Sequence, residues 1–252
     1  MSSLQNERLR VLLVTTECEP FWEETPAARY IAQLPGRLAS EYDVRILMPK
    51  YGLIDDRRWR LHEVKRLSGI TIRVGNLDYA LNVKVASIPG TRTQVYFLDN
   101  HEFWSRKGIF TDPDTGQPYP DNDERIIFFS KGVIAMMKTL KWDPHLIHCN
   151  GWMTGLLAVY LKYHFQRDPF FGGARLLFTS YEREIPTLRF SPSLPDKARI
   201  EGQAAEVFHR LAGDPYENLL SESRQIAETH HGTPTPEAWI ASYQQLLAHS
   251  TA

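Results

Sequence analysis

An α/β fold, one doubly wound and mostly parallel sheet, is predicted by three features of the sequence. Short, continuously apolar and β-branched runs have the character of strands buried on both faces. Stretches with apolar residues at helical spacing alternate with those runs, as in strand-helix-strand units. Between residues 59 and 99, Gly-Asn and Pro-Gly turn signals separate strand-like runs too closely for crossover helices, so an antiparallel extension is expected there.

Arg10 to Thr16 is the first buried strand. Ala28, Ile31, Leu34 and Leu38 then recur on one helical stripe, and Val44 to Pro49 returns to strand character. Ile70 to Val74, Leu81 to Ile88 and Gln94 to Leu98 form the antiparallel part. Lys107 to Asn122, rich in Pro, Gly and Asp, is a loop whose closing Asp121 or Asn122 is placed to cap the next helix. That helix, Glu124 to Leu140, aligns Ile126, Phe129, Val133, Met137 and Leu140. Leu146 to Cys149 is a strand, Gly155 to His164 a helix and Arg175 to Thr179 a further strand. Beyond Pro186 strands are hard to find, and Ala198 to Leu211, Glu217 to Glu228 and Pro236 to Ala248 read as helical. The expected division places residues 1–230 in one domain and 231–252 in a linker and a C-terminal helix packed on that domain, with the stretch His230 to Pro236 read as linker-like and its two histidines as exposed loop residues.

With 29 Lys and Arg against 30 Asp and Glu, the chain carries no global field for nucleic acid or an acidic membrane surface. Residues 1–10 are polar and no run of about 18 apolar residues occurs, so neither a membrane span nor a secretory leader is expected and the location is read as cytoplasmic. Cys18 and Cys149, each at or just past a strand end, are expected to be buried and reduced. No metal and no cofactor is expected from the pattern.

Several stretches carry a family resemblance: Val11 to Phe21, Leu34-Pro35, Val44 to Gly52, Val95 to Asn100, Tyr119 to Arg125 and Trp142 to Trp152. In this order and spacing they resemble the N-terminal domain of glycogen synthases and bacterial starch synthases. The resemblance implies the N-terminal, Rossmann-like half of a GT-B glycosyltransferase, in which acceptor glucan lies largely on this half and ADP-glucose on a second. That second, donor-side domain is expected to be absent here. Asp121, Asn122 and Arg125 match a family segment bordering the acceptor site, and His148 and Trp152 match framing residues. With Asn150 these are the implied substrate-binding candidates. Each also has a local reading: helix capping for Asp121 and Asn122, pairing with a carboxylate for Arg125, and core packing for Trp152 and His148.

The chain departs from the family pattern where chemistry is expected. The family's lysine, threonine and paired glycines, which let a cation and backbone amides approach phosphates, are replaced by Glu23, Glu24, Thr25 and Pro26, followed by Ala27. A histidine and aspartate before the tryptophan are replaced by Asn150 and Gly151, and Asn150 cannot carry imidazole's proton or charge. A histidine and asparagine after the later strand are replaced by Tyr181 and Glu182. No residue is therefore assigned a catalytic role, and Glu23, Thr25, Pro26, Asn150 and Tyr181 stand as degenerate positions.

The expected function is a glucan-binding or regulatory module of glycogen metabolism, non-catalytic alone, with α-glucan or maltooligosaccharide as ligand. The alternative is an ADP-glucose-dependent glucosyltransferase completed by a separate donor-binding subunit. An apolar patch where a second domain would pack predicts a homo-oligomer or contact with another glycogen enzyme. A dinucleotide enzyme is disfavoured because Thr16 to Trp22 contains no glycine, and a hydrolase because no Gly-x-Ser-x-Gly occurs.

Overall fold

The computed structural model describes residues 8–181, 189–200, 208–209, 211, 214–226, 228–232 and 234–248. Its strands are β1 (Leu9–Val14), β2 (Tyr42–Pro49), β3 (His62–Glu63), β4 (Ile70–Val74), β5 (Leu77–Ser87), β6 (Gln94–Asp99), β7 (Leu146–Asn150), β8 (Arg175–Ser180) and β9 (Glu228–His231). They form one nine-stranded sheet in the order β3-β5-β6-β2-β1-β7-β8-β9, with β4 paired to β5. Val11 of β1 lies opposite Val44 of β2 and Leu146 of β7, both in parallel register. From β6 through β9 every pair is parallel, whereas β3, β4 and β6 all meet β5 antiparallel. The predicted doubly wound sheet with an antiparallel extension is the fold observed.

Val11, Leu12, Leu13 and Val14 are fully buried, as a strand covered on both faces must be. Each such side chain contributes roughly 1.5–3 kcal/mol of burial. The helices are α1 (Pro26–Leu38), α2 (His101–Trp104), α3 (Asn122–Leu140), α4 (Gly155–Tyr163), α5 (Leu194–Lys197), α6 (Pro215–Ile226) and α7 (Pro236–Ala248). α1 packs with α7 and on β2, while α3, α4 and α6 pack in sequence beside one another. Gly132 lets α3 approach the sheet closely, since a Cβ there would sit 3.1 Å from Leu98 Cδ2.

The direction of winding reverses between neighbours β1 and β7, because β1 leads to β2 on one side and β7 leads to β8 on the other. In open α/β sheets the crevice at that reversal, outside the strands' carboxyl ends, is where ligands bind. Here it lies at the residues following Val14 and Asn150.

One expectation changes. Glu228–His231 is a strand at the sheet edge rather than linker or helix, because pairing to Leu177–Ser180 of β8 satisfies its backbone despite a polar sequence. The exposed large apolar side chains among the described residues are Leu53, Leu77 and Tyr163. Most of the helix expected over 198–211 lies outside the described residues, as does Glu182. Cys18 and Cys149 are free and fully buried, and burial pushes both thiols far up.

Candidate functional site

The first wall of the crevice is the turn from β1 into α1, organised by Glu17, which is 6% exposed. Its carboxylate accepts the Glu24 N–H at 2.7 Å, the Thr25 N–H at 2.8 Å and the Thr25 hydroxyl. Thr25 is the N-cap of α1, and its Oγ1 accepts the Ala27 N–H at 3.2 Å while its carbonyl accepts the Ala28 N–H. Pro26 has no N–H. Every backbone donor from residue 24 to residue 28 is thus satisfied inside the protein. The nearby cation Arg29 is shared between Glu19 and Glu23, each 3.4 Å away. Helix N-termini bind anions through free N–H groups and positive charge, and this one presents neither.

The second wall comes from β7 and β8. Gly151 turns the chain at φ +80, a conformation glycine adopts without strain, and its N–H reaches the Thr179 carbonyl at 2.9 Å. Asn150, 1% exposed, accepts the Tyr181 hydroxyl at 3.3 Å, so two of the degenerate positions meet. His148 is fully buried and shares hydrogen bonds with the Tyr243 hydroxyl (2.6 Å, Nδ1) and Thr179 Oγ1 (2.8 Å, Nε2). Thr179 Oγ1 also accepts the Trp239 indole N–H at 3.0 Å, which fastens α7 to the sheet. Burial first, then the charge of His230, hold His148 well below the ordinary histidine range.

The third wall is the 107–122 loop and the start of α3. Asp121 occupies the N-cap position but makes no side-chain cap bond; its carboxylate instead grips Arg106 (Nη1 to Oδ1 2.7 Å), whose guanidinium also lies 4.7 Å over the Tyr119 ring. Asn122 is inside the helix, donating to the Phe110 carbonyl at 2.9 Å and accepting Arg125 Nη1 at 2.7 Å. Capping is therefore not the side-chain role of either residue. Arg125, 1% exposed, meets no carboxylate among the described residues. It sits in an aromatic cage, 4.7 Å over Trp104, 5.7 Å over Phe110 and 5.6 Å over Tyr119, with Nε and Nη2 unpartnered. Burial above all, against a smaller pull from Tyr51, brings its guanidinium down to about 10.

An aromatic belt joins these walls. Trp22 meets Tyr51, Tyr51 meets Trp104, Phe110 meets Trp152, and Trp152 meets Phe190 and Tyr216. Trp152 is 2% exposed and lies within that belt, not on a surface. Asp121, Asn122, Arg125 and Trp152 thus form one continuous group, whereas His148 stands apart under α7. The half-exposed polar groups at the rim are Arg106, Tyr119, Asp121 and Tyr181. Sequence reasoning missed Glu17 and Arg106 because their partners lie across turns; an acid between a strand end and a helix N-cap was the available signal for Glu17.

The profile of the starch synthase catalytic domain matches residues 10–219. This chain belongs to that family. Glycogen synthases are similar to this starch synthase-family domain: that of Chlorobium limicola is 36% identical over 199 residues, covering 77% of this chain and 41% of that protein. The one from Chlorobium chlorochromatii is 36% identical over 238 residues, covering 91% and 48%. The chain therefore spans about half the length of the curated relatives it matches. In fold it is similar to the catalytic domain of starch synthase IV from Arabidopsis thaliana, solved bound to ADP and acarbose, with TM-score 0.65, 15% identity, and coverage of 92% of this chain and 53% of that one. The starch synthase-family domain described here thus has the architecture of half of such a catalytic fold. Among its described residues no helix is long and apolar enough to cross a membrane, and no group of three His, Cys, Asp or Glu is placed to hold a metal.

Proposed function

We propose that this starch synthase-family domain is a glucan-binding, non-catalytic module of glycogen metabolism that does not hold a nucleotide diphosphate at the tip of β1. The observation that carries this reading is the closed turn before α1, where Glu17 and Thr25 take the amides of residues 24, 25, 27 and 28 and residue 26 has none. A diphosphate there would meet Glu23 and Glu24 in place of a free cation, and Coulomb repulsion adds to the missing donors. Loss of imidazole at Asn150 supports the same reading, since an amide cannot carry the proton or positive charge that imidazole can bring to a reacting sugar and its leaving group.

Glucan is the ligand the remaining surface favours. Neutral sugars are recognised by planar aromatic rims and bidentate polar groups, and Tyr119, Asp121 and Arg106 are half-exposed and in mutual contact, while half-exposed Tyr181 donates to Asn150. In this reading Asn122, Arg125, Asn150 and Trp152 shape the rim from below, and His148 anchors α7. The domain division at about residue 230, a cytoplasmic location, and association with itself or another glycogen enzyme belong to the same proposal.

Isothermal titration with maltoheptaose, beside ADP-glucose, tests it. Saturable heat with the oligosaccharide, lost in Tyr119→Ala, is expected. Absence of glucan binding, or incorporation of labelled glucose from ADP-glucose by the purified chain, overturns it.

A further inference from the structure

A cavity of about 1010 Å³ opens beside the C-terminal half of α3, away from the crevice. Five cations reach its wall from three parts of the fold: Arg73 of β4, Lys131 and Lys138 of α3, and Lys197 and Arg199 in and after α5. Among the described residues, Asp196 is the one carboxylate on the wall. Four of the cations have carboxylate partners, Arg73 with Asp78 (2.7 Å), Lys138 with Asp168 (2.6 Å), Lys197 with Glu124 (2.7 Å) and Arg199 with Asp196 (2.6 Å). Lys131 has none among the described residues. Its ammonium donates to the carbonyls of Arg73 (2.9 Å) and Arg199 (2.6 Å), which draws all three elements to one point and leaves a third N–H without a partner among the described residues.

The wall is held by the backbone as well. The Gly75 N–H donates to the Lys197 carbonyl at 3.1 Å, tying the β4–β5 turn to the end of α5. Ile134 and Phe165 add apolar surface beside the charges. Burial first, and Arg73 second, bring Lys131 down to about 8, and an anion placed there would favour its charged form. Surface lysines have no such geometry.

We propose that this cavity binds an organic phosphate, with its phosphoryl group on Lys131 between Arg73 and Arg199. A phosphate dianion takes several charge-assisted donors at once, which neutral sugar does not require. The volume lies at the upper end of the range for small-molecule sites and leaves room for a sugar or nucleoside body against Ile134 and Phe165. Lys131 is six residues from Arg125 on the same helix and Lys138 thirteen, or roughly 9 and 20 Å along its axis, so the site is independent of the crevice.

Isothermal titration of the chain at low salt with AMP, ribose 5-phosphate, ribose and inorganic phosphate tests the site. At least one organic phosphate is expected to saturate a single site, ribose to give no heat, and inorganic phosphate to bind about tenfold more weakly. The stronger of AMP and ribose 5-phosphate identifies the body. Lys131→Met is expected to weaken the organic phosphate about tenfold or more, with Lys131→Arg retaining it and Arg125→Met leaving it unchanged. Circular dichroism checks that each variant folds, and Arg199→Met serves in place of Lys131→Met if that variant does not. Absence of saturation by both organic phosphates, equal affinity for inorganic phosphate, or undiminished binding in the folded methionine variant overturns the proposal.

Discussion

Truncating Glu17 should loosen the entrance to α1 more than any other single change on the crevice rim. The carboxylate holds two backbone amides at 2.7 and 2.8 Å together with the Thr25 hydroxyl. Charge-assisted bonds contribute about 1.5–3 kcal/mol each, so three would sum to about 4.5–9 kcal/mol if nothing replaced them. Glu24 is exposed and Thr25 half-buried, so water reaches the freed donors and recovers part of that sum. Glu17→Ala is therefore expected to cost about 3 kcal/mol, and Glu17→Gln, which keeps one neutral acceptor, about half as much. Urea denaturation followed by fluorescence, with the slope unchanged and the midpoint lowered, is the assay. A Glu17→Ala loss under about 0.5 kcal/mol, or a glutamine variant as unstable as alanine, would refute the view that this carboxylate occupies the turn's donors.

Other consequences are equally direct. His148 is neutral in the fold and charges in the unfolded chain below about pH 6.5, so the unfolded state binds more protons there. Stability should fall by about 1.4 kcal/mol per pH unit on acidification below 6.5 and be flat in this contribution above it, a slope missing from His148→Phe when the two urea midpoints are compared between pH 7.5 and 5.5. Arg125→Met should stay within about 1.5 kcal/mol of the parent in the same assay, because a buried charge without a counter-ion is exchanged for an apolar chain of similar length; a loss above about 4 kcal/mol would contradict that. Lys141 ends α3 at φ 55, so Lys141→Gly should stabilise by about 0.5–1 kcal/mol, seen as a raised melting temperature.

The parallel core was legible because strands covered on both faces have little choice of residue: Val11 to Val14 and Val44 to Pro49 are apolar wherever packing demands it. Glu228–His231 was not, since an edge strand held by backbone pairing to β8 needs no apolar side chains. Local reasoning placed Asp121 and Asn122 at a helix start and offered capping beside sugar binding as their role, but Arg106, fifteen residues before Asp121, takes that carboxylate. The local reading of Arg125, pairing with an acid, met an aromatic cage instead, assembled from α2 and the 107–122 loop, that no spacing reveals. The departures at Glu23, Pro26 and Asn150 were visible as residues, while the closure of the turn by Glu17 depended on coordinates.

A crystal of this chain soaked with ADP-glucose addresses the phosphate question at its source. The turn formed by residues 23–26 is expected to keep the Glu17 bonds to Glu24 and Thr25, with no diphosphate beside it. Density for a diphosphate seated against that turn, with Glu17 displaced from the two amides, would contradict the reading of this domain as one that holds no nucleotide diphosphate at the tip of β1.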